Sequence, residues 1–252
     1  MTKLKLLELL ESHKGEYLSG EAIAQSLGLS RAAIWKNINL LREEGYDIES
    51  VKKKGYNLNI NSDILSKIKL KEFLNKDFPI QRIQLYKTID STNKAALMNY
   101  LEEEMPWTVV ASEKQEKGQA KDKTTFYSPE GKGVYMSVAI NLQKNLDDIK
   151  KVTRQNSKIV KEVLREVTAV ETNIEKDNNL YYKGRKLAGI MTQILLEAES
   201  GFAKVMVIGI GIYVHEANGE NIALTEITGH YCNRSELIAK LINRLYEYYK
   251  EE

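Results

Sequence analysis

The sequence predicts an α+β protein in two parts: an N-terminal winged helix-turn-helix and a larger domain built on a mixed sheet. Three observations predict it. Within the first sixty residues, three short amphipathic stretches punctuated by Gly15, Gly28 and Gly45 run into an alternating hairpin. Beyond them, strand-like and helix-like segments interleave with strands often adjacent, which favours a mixed sheet packed on helices over a doubly wound parallel one. Finally, 252 residues at 42% hydrophobic and 29% charged suffice for a small core and a medium one. The expected domains are residues 1–62 and 63–252.

Leu4, Leu6, Leu7 and Leu10 recur at helical spacing over residues 3–13. Ser19 caps a second helix, GEAIAQSLG, with Ala22, Ile23 and Leu27 expected inward, and Ser30 caps a third, RAAIWKNINLLREEG. Two short helices joined by a tight glycine-containing turn are the helix-turn-helix signature. YDIESVKKKGYNL then alternates, turns at Lys54-Gly55 and alternates again, as the hairpin of a wing does.

A three-helix packing module would share this pattern, and the charges argue against it. The third helix offers Ser30, Arg31, Lys36, Asn37, Asn39 and Arg42; the wing tip offers Lys52, Lys53 and Lys54. Phosphates call for cations and helix N-termini, base edges for forked donors such as Arg or Asn, and both kinds sit on the element that enters the major groove. Double-stranded DNA is therefore the expected partner of residues 1–62.

In the larger domain the spacing predicts strands at IQLYKTI, WTVVASE, GVYMSVAINL, Thr172–Lys176 and KVMVIGIGIYV, and a hairpin turning at Lys183-Gly184. Helices are expected at NSDILSKIKLKEFLN, STNKAALMNYLEEE, Asp147–Thr168 and SELIAKLINRLYEYYK. The net charge of +2 confines any nucleic-acid surface to a local patch. The lone Cys232 rules out an internal disulfide, and His13, His215 and His230 are too scattered for a zinc cluster or a histidine-based triad. The Leu-rich N-terminus is broken by Lys5, Glu8 and Glu11, so no signal segment and no membrane span is expected, and the chain reads as cytoplasmic.

Residues 1–60, especially SGEAIAQSLGLSRAAIWKNINLLREEGYDIESVKKKGYNL, resemble the DNA-binding domain of the bifunctional biotin operon repressors. Four later segments, in order, resemble the biotin protein ligases: DSTN at 90–93, QEKGQAKDKTTFYSP at 115–129, IEKDNNLYYKGRKLAGI at 174–190 and VIGIGIYV at 207–214. The resemblance implies a ligase-type fold that joins biotin to ATP, holds the acyl-adenylate and passes it to a lysine of an acceptor protein. It implies that Ser91, Thr92 and Gln115 recognise the ring of a biotin-like ligand. Gly118, Lys121, Lys186, Gly189, Gly209 and Gly211 would then surround it. It also implies a homodimer formed by sheet edges, and GVYMSVAINL is expected to supply that edge.

The chain departs from the family where the chemistry is concentrated. The family's catalytic lysine aligns with Glu175, its following tryptophan and proline with Lys176 and Asp177, and its aspartate with Asn179. The loop arginines fall on Gln119, Lys121 and Thr124, and two loop glycines on Ala120 and Lys123. A carboxylate beside an anionic ligand repels it by about 4 kcal/mol at ~4 Å in a surface-like dielectric of about 20. Lys121 and Lys176 are the candidate surrogate cations, though Lys176 is expected on the opposite face of a strand from Glu175. The family's small C-terminal domain is also not matched. Three readings stand at this point. The first is a ligand-responsive repressor with little or no ligase activity, its effector biotin or a biotin-like molecule. The second is an active bifunctional ligase and repressor using ATP and Mg²⁺ on a biotin acceptor protein. The third is an interaction module with a vestigial pocket. No catalytic residue is assigned and no metal site is expected.

Overall fold

The computed structural model describes residues 2–103, 107–119, 124–144, 149–196 and 203–250. The chain divides into two compact units, Met1–Ile64 and Leu65–Glu252.

The smaller unit comprises α1 (Thr2–Ser12), α2 (Gly20–Leu27), α3 (Arg31–Glu43), β1 (Ile48–Val51) and β2 (Gly55–Leu58). Local chemistry sets its helix ends. The Ser19 hydroxyl accepts from the Ala22 N–H at 3.0 Å and the Ser30 hydroxyl from the Ala33 N–H at 3.2 Å, satisfying donors that a first helical turn leaves open. Gly28 ends α2 at φ +66°, a left-handed conformation that glycine adopts without a Cβ penalty. Leu6, Leu10, Ile23, Ile34, Ile38 and Leu41 form the buried interior. Ala22, expected inward, is exposed, because Ile23 takes the packing position of that turn. In the hairpin, Ile48 faces Leu58 and Val51 faces Gly55. Leu18 extends the hairpin through a pair of backbone hydrogen bonds with Tyr56, at 2.8 and 2.9 Å. Gly55 sits so near Leu18 that a Cβ there would run into the Leu18 carbonyl.

The larger unit is built on a seven-stranded sheet: β3 (Ile83–Ile89), β4 (Trp107–Gln115), β5 (Gly133–Lys144), β6 (Asn173–Ile174), β7 (Leu180–Tyr182), β8 (Arg185–Leu196) and β9 (Ala203–Tyr213). The spatial order is β3-β4-β5-β9-β8-β7-β6, with β3 and β4 parallel and every other pair antiparallel. The helices are α4 (Lys67–Lys71), α5 (Thr92–Glu103), α6 (Ile149–Thr168), α7 (Leu224–Thr228) and α8 (Arg234–Tyr249). Alternation along the strands divides the core in two. Val109, Val138, Ile190 and Ile208 pack with α6 and α8 on one face. Val110, Ala139, Val205 and Val207 pack with Ala96 and Tyr100 of α5 on the other.

Three expectations are corrected. GVYMSVAINL lies in β5, an interior strand paired on both sides by β4 and β9, which its apolar character on both faces requires. The terminal strands are β3 and β6. Because β7 pairs only with Arg185–Ala188, the Gly189–Leu196 part of β8 has no strand on that side among the described residues. The helix expected over NSDILSKIKLKEFLN is confined to Lys67–Lys71, capped by Ser66. Lys176 is not on a strand: β6 stops at Ile174, and residues 175–179 form a turn in which the Glu175 N–H donates to the Asn179 carbonyl.

One ion pair is deep inside. Arg234 is fully buried at the start of α8, and its Nη1 donates to Glu113 Oε2 at 2.8 Å and to the Gly133 carbonyl at 3.3 Å. Glu113 Oε1 accepts the Leu65 N–H at 2.6 Å. Removing one member of such a pair strands the other charge in a low dielectric. Arg234→Ala is expected to destabilise the larger unit by about 3–5 kcal/mol. Urea unfolding followed by Trp107 fluorescence, in a Trp35→Phe background so that only this unit reports, measures the loss. A cost of below about 1 kcal/mol would contradict the role given to the pair.

Candidate functional site

The larger unit carries an open cleft on the α5 side of the sheet. Its floor is made where β8 and β9 lack side chains, at Gly189, Gly209 and Gly211, with Met191 beside them. Ser91 just before α5 and Thr92 and Asn93 in its first turn line the cleft, and Gln115 enters from the end of β4. Gln119 and Phe126 close one wall, Asn179 and Lys186 another.

The glycines serve a steric purpose. A Cβ on Gly211 would lie 2.5 Å from the Phe126 ring, and one on Gly209 would collide with the Asn93 amide. Phe126 rests in the space so left and stacks on Tyr213 at 4.9 Å, with the rings 8° from parallel. Burial pushes the Tyr213 phenol up to about 12, so it is a neutral hydroxyl at physiological pH.

A polar chain fixes Thr92 and Gln115. Gln115 Oε1 accepts both the Thr92 N–H, at 2.9 Å, and the Thr92 hydroxyl, at 3.0 Å. Gln115 Nε2 donates to the Ser128 hydroxyl at 3.1 Å, which in turn donates to the Phe126 carbonyl at 2.9 Å. Ser137, wholly buried on β5, shares its hydroxyl proton between Thr92 Oγ1 at 2.8 Å and Asn93 Oδ1 at 2.5 Å. The orientation of the Gln115 amide is thus set from both ends.

Among the sequence-derived ligand positions, Ser91, Thr92, Gln115, Lys186, Gly189, Gly209 and Gly211 all line the cleft. Gly118 does not: it lies behind the wall, where a Cβ would meet the Phe126 carbonyl at 2.9 Å and Gln115 Nε2 at 3.0 Å. Lys121 falls outside the described residues. Glu175 and Lys176 are exposed in their turn and do not line the cleft, so the repulsion expected from Glu175 is screened by solvent. Beside them the turn is closed by Asn179, whose N–H donates to Asp177 Oδ1 at 3.0 Å and whose Oδ1 accepts the Ile190 N–H at 3.1 Å. Burial acts to raise the Asp177 carboxyl, but hydrogen bonds from Asn179 and Tyr181 and the nearby Lys186 charge outweigh it and hold the group below its ordinary value. Lys186 is the only cation lining the cleft among the described residues. A triphosphate needs several cations or aimed donors, and of these the cleft lining among the described residues supplies one cation. Among the described residues no cluster of histidine, cysteine, aspartate or glutamate could hold a metal ion. Cys232 is buried, and burial pushes its thiol up. Sequence reasoning missed Asn93, Ser128, Ser137, Met191 and Phe126. The signal for the first two was at hand, in the DSTN and SP segments themselves.

On the smaller unit, a groove between the wing and the helices is lined by Ser19, Glu21, Arg31, Lys52, Lys53 and Tyr56. Arg31, Lys36, Lys52, Lys53 and Lys54 are exposed, and Lys54 Nζ sits 5.5 Å from the Tyr17 ring centroid. Arg42, expected to reach base edges, is turned inward to the hairpin instead. Its Nε donates to the Ile48 carbonyl and its Nη2 to the Ser50 hydroxyl, both at 2.8 Å, which braces the helix on the wing. Asn37 donates to the Ala33 carbonyl one turn back at 2.7 Å.

These two units define a helix-turn-helix module joined to a ligase-type α/β domain with a polar, glycine-floored cleft. Residues 2–57 match the family described as HTH domain, and residues 85–212 match the Biotin/lipoate A/B protein ligase family. The chain belongs to the biotin/lipoate A/B protein ligase family. It is 31% identical over 211 residues to the Bifunctional ligase/repressor BirA of Bacillus subtilis, an alignment covering 84% of this chain and 64% of that protein. It is 32% identical over 248 residues to the protein of that name from Escherichia coli, covering 96% and 74%. The chain thus spans about two thirds to three quarters of the length of these relatives. Its fold is shared with a biotin protein ligase from Aquifex aeolicus solved with biotin and ATP: TM-score 0.56, 24% identity, 67% of this chain and 70% of that one. It is also shared with the enzyme from Leishmania major solved with biotinyl-5-AMP, at TM-score 0.57, 16% identity and 67% and 75% coverage. Among the described residues, no helix is long and apolar enough to cross a membrane.

Gly211→Ala is expected to destabilise the larger unit by about 1–3 kcal/mol through the clash with Phe126. In a Phe126→Ala background the same change should be nearly free, since the colliding ring is gone. Thermal unfolding of the four proteins in this cycle checks it; an equal cost in both backgrounds would mean that the contact is not the cause.

Proposed function

We propose that this chain is a ligand-responsive transcriptional repressor, with biotin or a biotin-like molecule as effector and little or no ligase activity. The observation that carries this reading is the cation inventory of the cleft. Of the ring-recognition set Ser91, Thr92 and Gln115, the last two are held in place by the Ser137 and Ser128 hydroxyls, whereas Lys186 is the only cation lining the cleft among the described residues. Such a site grips a neutral ring bearing one carboxylate better than it grips a triphosphate. Effector binding favours a homodimer that spans two half-sites of a double-stranded operator, by a shift in population between states. The edge for that dimer is β3 or the far part of β8, not β5. Cytoplasmic residence fits this role.

A second reading has its own support. Both named relatives are bifunctional ligases and repressors, and Lys121, in the loop that aligns with the family's arginines, stands as a possible phosphate cation. In that reading the chain uses ATP and Mg²⁺ to biotinylate an acceptor protein.

Purified protein given biotin, ATP and Mg²⁺ separates the two. The repressor reading expects no pyrophosphate release and no labelling of a biotin acceptor domain, with biotin binding still visible by calorimetry. Turnover overturns it in favour of the ligase. Glu175→Lys alone is expected to restore no turnover, because residue 175 is exposed and lies off the cleft lining. On the DNA side, replacing Lys52, Lys53 and Lys54 together by Ala should weaken binding to all duplexes and flatten the dependence on salt, since fewer counterions are released. Unchanged affinity and slope would remove the wing from the interface.

A further inference from the structure

The cations account for phosphate contacts and leave one prominent side chain of α3 unexplained. Trp35 is 61% exposed, whereas the other tryptophan, Trp107, is 6% exposed in the core of the larger unit. The packing face of α3 is already filled by Ile34, Ile38 and Leu41, so the indole is not a displaced core residue. It lies one turn beyond Arg31 and one turn before Asn39, and side chains four apart share a helix face. Arg31 in turn lines a groove together with Lys52, Lys53 and Glu21, and Lys36 follows Trp35 along α3. A large apolar plate therefore shares a helix face with Arg31, which lines the same groove as Lys52 and Lys53, and stands near a helix N-terminus capped by Ser30.

That combination asks for a polyanion with apolar features between its charges. The major groove of B-DNA has this chemistry: phosphates on both walls and thymine C5-methyl groups on its floor. We propose that Trp35 is a sequence-reading residue, its indole packing on thymine methyls while Arg31, Lys36, Lys52 and Lys53 hold the flanking phosphates. The assignment rests on the reading of residues 1–64 as a DNA-binding unit. It adds a contact of a different kind, because an apolar contact releases no counterions and its loss lowers affinity equally at every salt concentration.

The test uses the full chain, with and without biotin. Duplexes are selected from a random-sequence pool by the wild-type protein, then resynthesised with uracil for thymine, which removes only the methyl. Wild type should bind the thymine form about fourfold more tightly for each methyl contacted, from about 0.8 kcal/mol per buried carbon. Trp35→Ala should bind the thymine form roughly tenfold more weakly than wild type, with an unchanged salt slope and no preference between the two forms. Trp35→Phe should keep the preference in reduced form. A thermal midpoint equal to wild type checks that Trp35→Ala is folded. Wild-type affinity in Trp35→Ala, or a retained preference for thymine, overturns the proposal. So does a change in oligomeric state without a change in DNA affinity, which would make the indole a protein contact. If the wild-type protein enriches no duplex at all, the DNA-binding reading itself fails and the assignment falls with it.

Discussion

At the floor of the cleft, three positions of β8 and β9 have no side chain, and protein groups fill the space they leave. Phe126 lies over Gly211 and Gly189, and the Asn93 amide lies over Gly209. The polar chain along the cleft is built on this close approach. With Phe126 seated, its carbonyl is placed to accept from Ser128, and Ser128 orients the Gln115 amide. With Asn93 seated, Ser137 is shared between Asn93 and Thr92, and Thr92 meets Gln115 from the other side. The site is thus a single polar chain laid on a bare patch of backbone.

Charge in the molecule is partitioned in a way that the net value of +2 conceals. The smaller unit gathers exposed cations around a groove. In the larger unit the fully buried Arg234 is committed to Glu113 and serves packing rather than ligand chemistry. Arg185 is likewise engaged, donating to the Glu220 and Asn221 carbonyls at the rim. Among the described residues, Lys186 alone brings a positive charge to the cleft lining.

Much of this was legible in the sequence, where local rules govern. The caps at Ser19 and Ser30, the stop at Gly28 and the tight turn at Lys183-Gly184, with both residues at positive φ, are decided within a few residues. The glycines of β8 and β9 and the residues around Ser91 could be picked out by resemblance. What could not be read depends on partners distant in the chain. Interior and edge strands have similar composition, so the place of β5 needed the flanking strands to be seen. Arg42 looked like a base reader because its bonds to Ile48 and Ser50 arise only when the hairpin folds back on α3. Lys176 was set on a strand that ends two residues earlier, since β6 is held by β7 for only two pairs. Phe126 drew no notice because its function is set by glycines some sixty to ninety residues further on.

The bridge between Leu18 and Tyr56 bears on how the wing engages a ligand. It joins the hairpin to the segment that enters α2, while Arg42 clamps the hairpin to α3. The lysine turn therefore projects from a strand pair anchored at both sides, and it is not a loose arm. Flexible basic arms lose conformational entropy when they settle on a phosphate backbone, and that loss subtracts from affinity. Here most of the ordering is done during folding, so in the proposed contact with a duplex only the side chains of the wing lysines would remain to be immobilised.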